Sequence, residues 1–280
     1  MRDGKHDLDK DTTSRRPLIR WAGGKRSIAR KLVEFVPPTF GTYFEPMVGS
    51  GALFFALRPE SAVLADLNPE LINFYSVIKS RPIVFYKALS PLRASKVTYY
   101  RLRRSSPSSR IARAIRFFYL VRLSWNGLYR VNRRGGFNVP FGGRCPKELV
   151  TFDAILRASR LLHKARLLWG DFEKTTSLAR EGDLVYFDPP YPKGAADQDG
   201  FARYSSTGFN FDDHKRLAKY AAKLADRGVH VIITEAARKA ILGLYPKVLK
   251  VSLVRSSSLI AAQSKFRRDA YEAILTSHNI

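Results

Sequence analysis

The sequence predicts an α/β fold in which a mainly parallel sheet is interrupted by one inserted, mainly helical domain that carries a β-hairpin. Three observations predict it. Short apolar runs alternate with helix-like segments toward both ends of the chain. Between Thr42 and Asp66 a strand, a glycine turn, a helix and a second strand ending in an acid follow one another, the order that opens nucleotide-type α/β domains. The middle of the chain breaks this alternation and holds most of the excess charge.

Each element follows from local pattern. The first 16 residues are polar, charged and without period, a disordered tail. Ile28, Leu32, Val33 and Phe35 mark a helix over 27–35 that Pro37-Pro38 stops. Thr42 to Phe44 is a strand entering the turn Val48-Gly49-Ser50-Gly51, and Ala52 to Leu57 is the next helix. Ser61 to Ala65 is a strand ending at Asp66, and Pro69 opens a helix over Glu70 to Ile78. From Arg81 the pattern changes to helices such as Ile111 to Leu123, separated by polar turns. Asn126 to Gly143 is glycine-rich and predicts a hairpin turning at Arg133-Arg134-Gly135-Gly136. Strands over Ala165 to Trp169, Leu184 to Phe187 and Val229 to Thr234 then alternate with helices near Lys174 to Arg180 and over Asp212 to Asp226. The expected domains are 17–80 with 165–280, made discontinuous by the insertion 81–164.

Composition narrows the class. The net charge is +25, and residues 81–164 hold 19 Lys and Arg against Glu148 and Asp153, a net of +17. Aromatic residues interleave with those cations, which favours a nucleic-acid partner over an acidic protein partner or a generally basic, soluble surface. The lone Cys145 excludes an intramolecular disulfide, and five scattered histidines make no metal-ligand spacing. No apolar stretch reaches membrane-spanning length, and the polar start lacks a secretory h-region, so a reducing cytoplasm is the expected location.

Three stretches carry chemistry. Asp188-Pro189-Pro190-Tyr191 ends the apolar run Leu184 to Phe187, where open α/β sheets place ligands. Its prolines stiffen the loop and offer carbonyls without N–H groups. A carboxylate, a free carbonyl and a flat ring together suit the exocyclic amine of a nucleobase. Gly49 and Gly51 allow close backbone approach to a ligand. Asp66, at the next strand tip, suits either two ribose hydroxyls or the cap of the following helix. In Trp21-Ala22-Gly23-Gly24-Lys25, Lys25 can reach an anion, while Trp21 suits the loop or the core.

Taken in order, Trp21 to Lys25, Glu45-Pro46 with Gly49-Ser50-Gly51, Asp66-Leu67-Asn68, Asn126 to Arg130 with Gly136 to Gly142, Gly170-Asp171-Phe172 and Asp188 to Tyr191 resemble the Dam-type (D12 class) DNA adenine-N6 methyltransferases. The resemblance runs from about Pro17 to Leu275. It implies a Rossmann-like sheet that binds S-adenosyl-L-methionine and an inserted target-recognition domain for double-stranded DNA. It implies a cofactor site of Trp21, Lys25, Glu45, Gly49, Gly51, Asp66, Asp171, Phe172 and Asp188, with Lys25 near the methionine carboxylate and Asp171 and Phe172 at the adenine. Asp188, Pro189, Pro190 and Tyr191 would hold the target base. Arg20, Trp125, Asn126, Leu128, Arg130, Asn132 and Pro140 would contact DNA, with Arg130 reading a guanine at GATC or a close variant. Neither a metal nor an obligatory protein partner is implied. Trp125 stands where relatives often carry tyrosine, and Thr234-Glu235 where they more often carry Ser-Asn. Rival readings are a cytosine-N4 enzyme, against which Asp188 argues, an RNA-directed enzyme, and a noncatalytic DNA-binding protein that kept the fold.

Overall fold

Strand residues that alternate between two apolar cores set the architecture. The computed structural model describes residues 16–132, 134–191, 209–256 and 270–278. Among these, β1 (Tyr43–Glu45), β2 (Ala62–Asp66), β3 (Ala165–Trp169), β4 (Leu184–Phe187), β5 (His230–Ala236), β6 (Lys250–Ser256) and β7 (Ala270–Thr276) form one sheet. Its order is β3-β2-β1-β4-β5-β7-β6. The five strands from β3 to β5 are parallel, and β7 runs antiparallel to both neighbours. The order reverses between β1 and β4, so a crevice opens at their carboxyl ends.

The two-residue period of a strand decides which side chain serves which face. Tyr43, Leu184, Tyr186, Ile232 and Ile274 join one core, shared with α1 (Ala29–Glu34), α2 (Ala52–Leu57) and α3 (Pro69–Ser80). Phe44, Val185, Phe187, Val231, Ile233 and Leu275 join the other, shared with α8 (Phe172–Thr176), α9 (Phe211–Asp226) and α10 (Lys239–Leu242). The mixed α/β class is therefore as expected.

Between α3 and β3 lie α4 (Pro82–Leu89), α5 (Lys96–Arg104), α6 (Arg110–Leu123) and α7 (Phe152–His163). Their packing is continuous with the sheet's first core. The Phe74 ring of α3 lies 5.8 Å from Phe85 of α4 and 5.7 and 5.6 Å from Phe117 and Phe118 of α6. Ser95, Ser109 and Thr151 cap α5, α6 and α7 by accepting from backbone N–H groups.

Several boundaries shift for identifiable reasons. The helix expected near 174–180 spans Phe172–Thr176 instead, because the Asp171 side chain accepts from Glu173 N and starts it early. Among the described residues the hairpin forms two isolated bridges, Ser124 with Phe141 and Val131 with Phe137. It is fastened sideways to α5, where the buried Tyr99 hydroxyl donates to Val139 O and Arg103 Nε donates to Phe137 O. The expected tail, up to residue 15, and Arg133 of the hairpin turn lie outside the described residues.

Candidate active site

Asp188 leaves the end of β4 beside the switch point, with its side chain 19% exposed. Two donors meet on its Oδ1: Lys25 Nζ at 2.7 Å and the Thr234 hydroxyl at 2.8 Å. Thr234 in turn lies 3.1 Å from the Tyr186 hydroxyl. Burial raises the Asp188 pKa, while Lys25 and Thr234 oppose the rise. Tyr191 follows the two prolines, and the Lys25 ammonium sits over its ring, 4.2 Å from the centroid. The Tyr191 hydroxyl donates to Glu272 Oε2 at 2.9 Å. Burial, then Asp188 and Glu272, push the Tyr191 pKa far up, so the hydroxyl stays a donor.

The glycine turn forms the neighbouring wall. Gly49 has φ 46° and Gly51 φ 67°, the left-handed region that favours glycine. A Cβ at Gly49 would also lie 2.9 Å from the Trp21 ring, so Trp21 packs directly on the turn. The same indole stacks on Tyr129, 6.0 Å between centroids, linking the turn to the inserted segment. Asp66, at the tip of β2, accepts from Gly49 N at 3.1 Å and Asn68 N at 2.9 Å. Asn68, not Asp66, caps α3, accepting from Glu70 N and Leu71 N. Burial raises the Asp66 pKa to about 6. Glu45 is only 2% exposed and accepts from the Tyr43 hydroxyl at 2.9 Å, so it lies inside the wall.

Asp171 and Phe172 stand at the end of β3 under a cation. Arg216 of α9 donates to Asp171 Oδ2 at 2.8 Å, and its guanidinium lies 4.5 Å from the Phe172 ring centroid. A cleft of 490 Å³ lined by Thr42, Ser61, Lys164 and Ala165 lies at the opposite, amino ends of the strands, away from this chemistry.

The residues expected to touch DNA gather around the hairpin. Trp125 is 58% exposed, and Asn126, Arg130 and Pro140 are exposed with it. Leu128 is half-buried against the core. Arg130 Nε donates to Asn138 Oδ1 at 2.8 Å. Asn132 accepts from Arg134 N and Gly136 N, closing the turn. Gly127 (φ 69°) lies against the Arg20 backbone, where a Cβ would come within 2.9 Å of Arg20 Cβ. Arg20 has a lowered pKa, from burial and then from Arg144 and Arg26, and Arg122 is lowered by burial and by Arg20 and Arg26. Four guanidiniums that repel one another are what a polyanion relieves.

Comparison with known proteins decides the family. The profile described as D12 class N6 adenine-specific DNA methyltransferase matches residues 21–263. The chain belongs to the D12 class of N6 adenine-specific DNA methyltransferases. It is 34% identical to a Type II methyltransferase of Lactococcus lactis subsp. cremoris, over 97% of this chain and 98% of the relative. It is 30% identical to a Type II methyltransferase of Methanocaldococcus jannaschii, over 94% and 99%. It is 31% identical to the DNA adenine methylase of Vibrio cholerae, over 94% and 97%. Among the described residues this methyltransferase has no helix long and apolar enough to cross a membrane and no group of three His, Cys, Asp or Glu placed to hold a metal.

Within the candidate site, Lys25, Asp188 and Tyr191 meet directly, and Trp21, Gly49 and Asp66 form the adjoining wall. Sequence reasoning missed Glu272 and Arg216 and left Thr234 open. The signal for Thr234 was strand period: Tyr186, Asp188 and Thr234 share one face, while Glu235 points to the other. There Glu235 Oε1 meets His214 Nδ1 at 2.8 Å and accepts from the Tyr245 hydroxyl at 2.9 Å. Thr234 therefore brings a hydroxyl to the site, and Glu235 belongs to the opposite core.

Proposed function

We propose that the enzyme transfers a methyl group from S-adenosyl-L-methionine to N6 of an adenine rotated out of duplex DNA, at GATC or a close variant. The observation that carries this reading is the meeting of Asp188, Thr234 and the Tyr191 ring at the end of β4, beside the Gly49 turn. The donor set suits that cofactor. Asp66 is a buried acceptor for ribose hydroxyls, Lys25 a cation for a carboxylate, and Asp171 with Phe172 an acceptor and a ring for an adenine. When bound, the sulfonium supplies an activated methyl group with a neutral sulfide as leaving group.

The residues of the chain supply alignment. The Asp188 carboxylate and the Pro189 carbonyl accept the two protons of the target amine, whose lone pair is otherwise conjugated with the ring. Held this way, the nitrogen turns toward tetrahedral geometry and presents its lone pair to the methyl carbon. Asp188 would receive the proton that the nitrogen loses on methylation. Thr234 and the stiff Pro189-Pro190 pair fix the acceptors, and Tyr191 stacks on the base.

Residues 81–164 form the target-recognition unit, and 17–80 with 165–280 the catalytic one, acting on DNA in the cytoplasm. Trp125 and Asn126 sit at the gap left by the rotated base. Arg130, steadied at Nε by Asn138, reads guanine O6 and N7. Arg20 reads the first base, Leu128 and Pro140 give apolar base contacts, and Asn132 acts by holding the turn. The test is to incubate the protein with unmodified genomic DNA and labelled cofactor, then map modified bases by single-molecule sequencing. N6-methyladenine in a GATC-like context is expected. No label transfer, or modification at scattered sequence, would contradict the reading.

A further inference from the structure

Glu272 stands on β7, opposite Ala236 of β5, and one of its oxygens reaches two groups of the site. Its Oε2 accepts from the Tyr191 hydroxyl at 2.9 Å and lies 3.7 Å from Lys25 Nζ. The Lys25 ammonium thus sits between two carboxylates, 2.7 Å from Asp188 and 3.7 Å from Glu272, above the Tyr191 ring. That ring face and that acceptor are the ones the target amine needs. An ammonium and a stacked purine cannot share the space, so Lys25 has to leave Asp188 as the base arrives. Lys25 is 6% exposed, and leaving a buried cation without a carboxylate is strongly unfavourable. A second carboxylate on the same side removes that obstacle.

We propose that Glu272 is a positioning residue for methyl transfer: it fixes the Tyr191 ring through its hydroxyl and, beside the cofactor carboxylate, holds the Lys25 ammonium when the target amine takes its place on Asp188. The inference rests on the reading above, in which Asp188 and Tyr191 hold the extruded adenine. Two separable parts follow. The tether to Tyr191 needs only an acceptor, whereas the capture of Lys25 needs a negative charge.

The test uses the full-length protein, S-adenosylmethionine and duplexes containing the sequence mapped for the wild type. Single-turnover methylation is followed beside the fluorescence of 2-aminopurine placed at the target position. Glu272→Ala is expected to slow transfer roughly tenfold and to weaken the 2-aminopurine signal, with DNA affinity kept. Tyr191→Phe removes only the tether and should slow transfer less, and the double variant should be no slower than Glu272→Ala, in which the tether is already lost. Glu272→Gln keeps the tether, so the fluorescence should return while the rate stays low. A loss confined to folding would instead lower the melting temperature and DNA affinity together. Wild-type rates in Glu272→Ala, or in Glu272→Gln should the alanine variant not fold, would overturn the inference alone. Multiplying effects of Tyr191→Phe and Glu272→Ala would do the same. A wild type that leaves adenine unmodified would overturn the parent reading and this inference with it.

Discussion

The Lys25 ammonium lies 2.7 Å from Asp188 Oδ1, so a cation from the chain holds the acceptor on which the proposed chemistry depends. The contact keeps a buried carboxylate partnered until a substrate amine replaces it. A similar arrangement recurs at Asp171, where Arg216 bonds the carboxylate and covers the Phe172 ring.

Arg216 is the more exposed of the two cations, 43% accessible, and its bond to Asp171 is worth little in solvent. Arg216→Ala is expected to tighten S-adenosylmethionine binding by about two- to fivefold, the scale of an exposed ion pair, with transfer rate unchanged. Calorimetric titration checks it. Weaker binding would show that the guanidinium itself contacts the cofactor.

Asp66 carries a pH dependence. Burial lifts its pKa from 3.8 to about 6. Only the ionised form accepts from two hydroxyls, so the cofactor dissociation constant should rise as pH falls through 6, approaching roughly tenfold per pH unit at lower pH. Asp66→Asn should bind weakly and without that slope. Parallel pH profiles for the two proteins would remove Asp66 from the cofactor site.

Glu45 has a pKa raised from 4.5 to about 8, chiefly by burial, against the opposing bond from Tyr43. A carboxyl with a folded pKa above its unfolded one adds stability that is complete below about pH 4.5 and is lost as pH rises through 8. Glu45→Gln keeps an acceptor for Tyr43 and cannot ionise. Its melting temperature relative to the wild type should climb between pH 5 and 9. A constant difference across that range would show that Glu45 does not change charge there.

Arg130→Ala should cost about 1–3 kcal/mol of discrimination at a single guanine, read from competition between matched and base-substituted duplexes. Non-specific binding should change little, since the cluster of Arg20, Arg26, Arg122 and Arg144 remains. Equal losses on specific and random DNA would make Arg130 a phosphate contact instead.

How much of this was legible in the sequence depended on whether a residue's partner was local. The glycine turn, the strand tip at Asp66 and the Asp188 loop are short-range patterns, and the structure sets them side by side at the sheet's switch point. Glu272 and Arg216 carry no such mark. A glutamate on a late antiparallel strand and an arginine on an amphipathic helix resemble ordinary surface charges until sheet order and helix packing bring them to Tyr191 and Asp171. The hairpin was legible from its glycines, but its broken pairing was not: the tight turn at Trp125–Gly127 shifts the register by three residues between the pairs Ser124 with Phe141 and Val131 with Phe137. Thr234 was readable from strand period alone once Tyr186 and Asp188 were placed on one face.

The most direct measurement is single-turnover methylation by Asp188→Ala, run beside its DNA and cofactor affinities. Transfer should vanish while both ligands still bind. An alanine variant that binds both and still methylates adenine would contradict the central role given to this carboxylate.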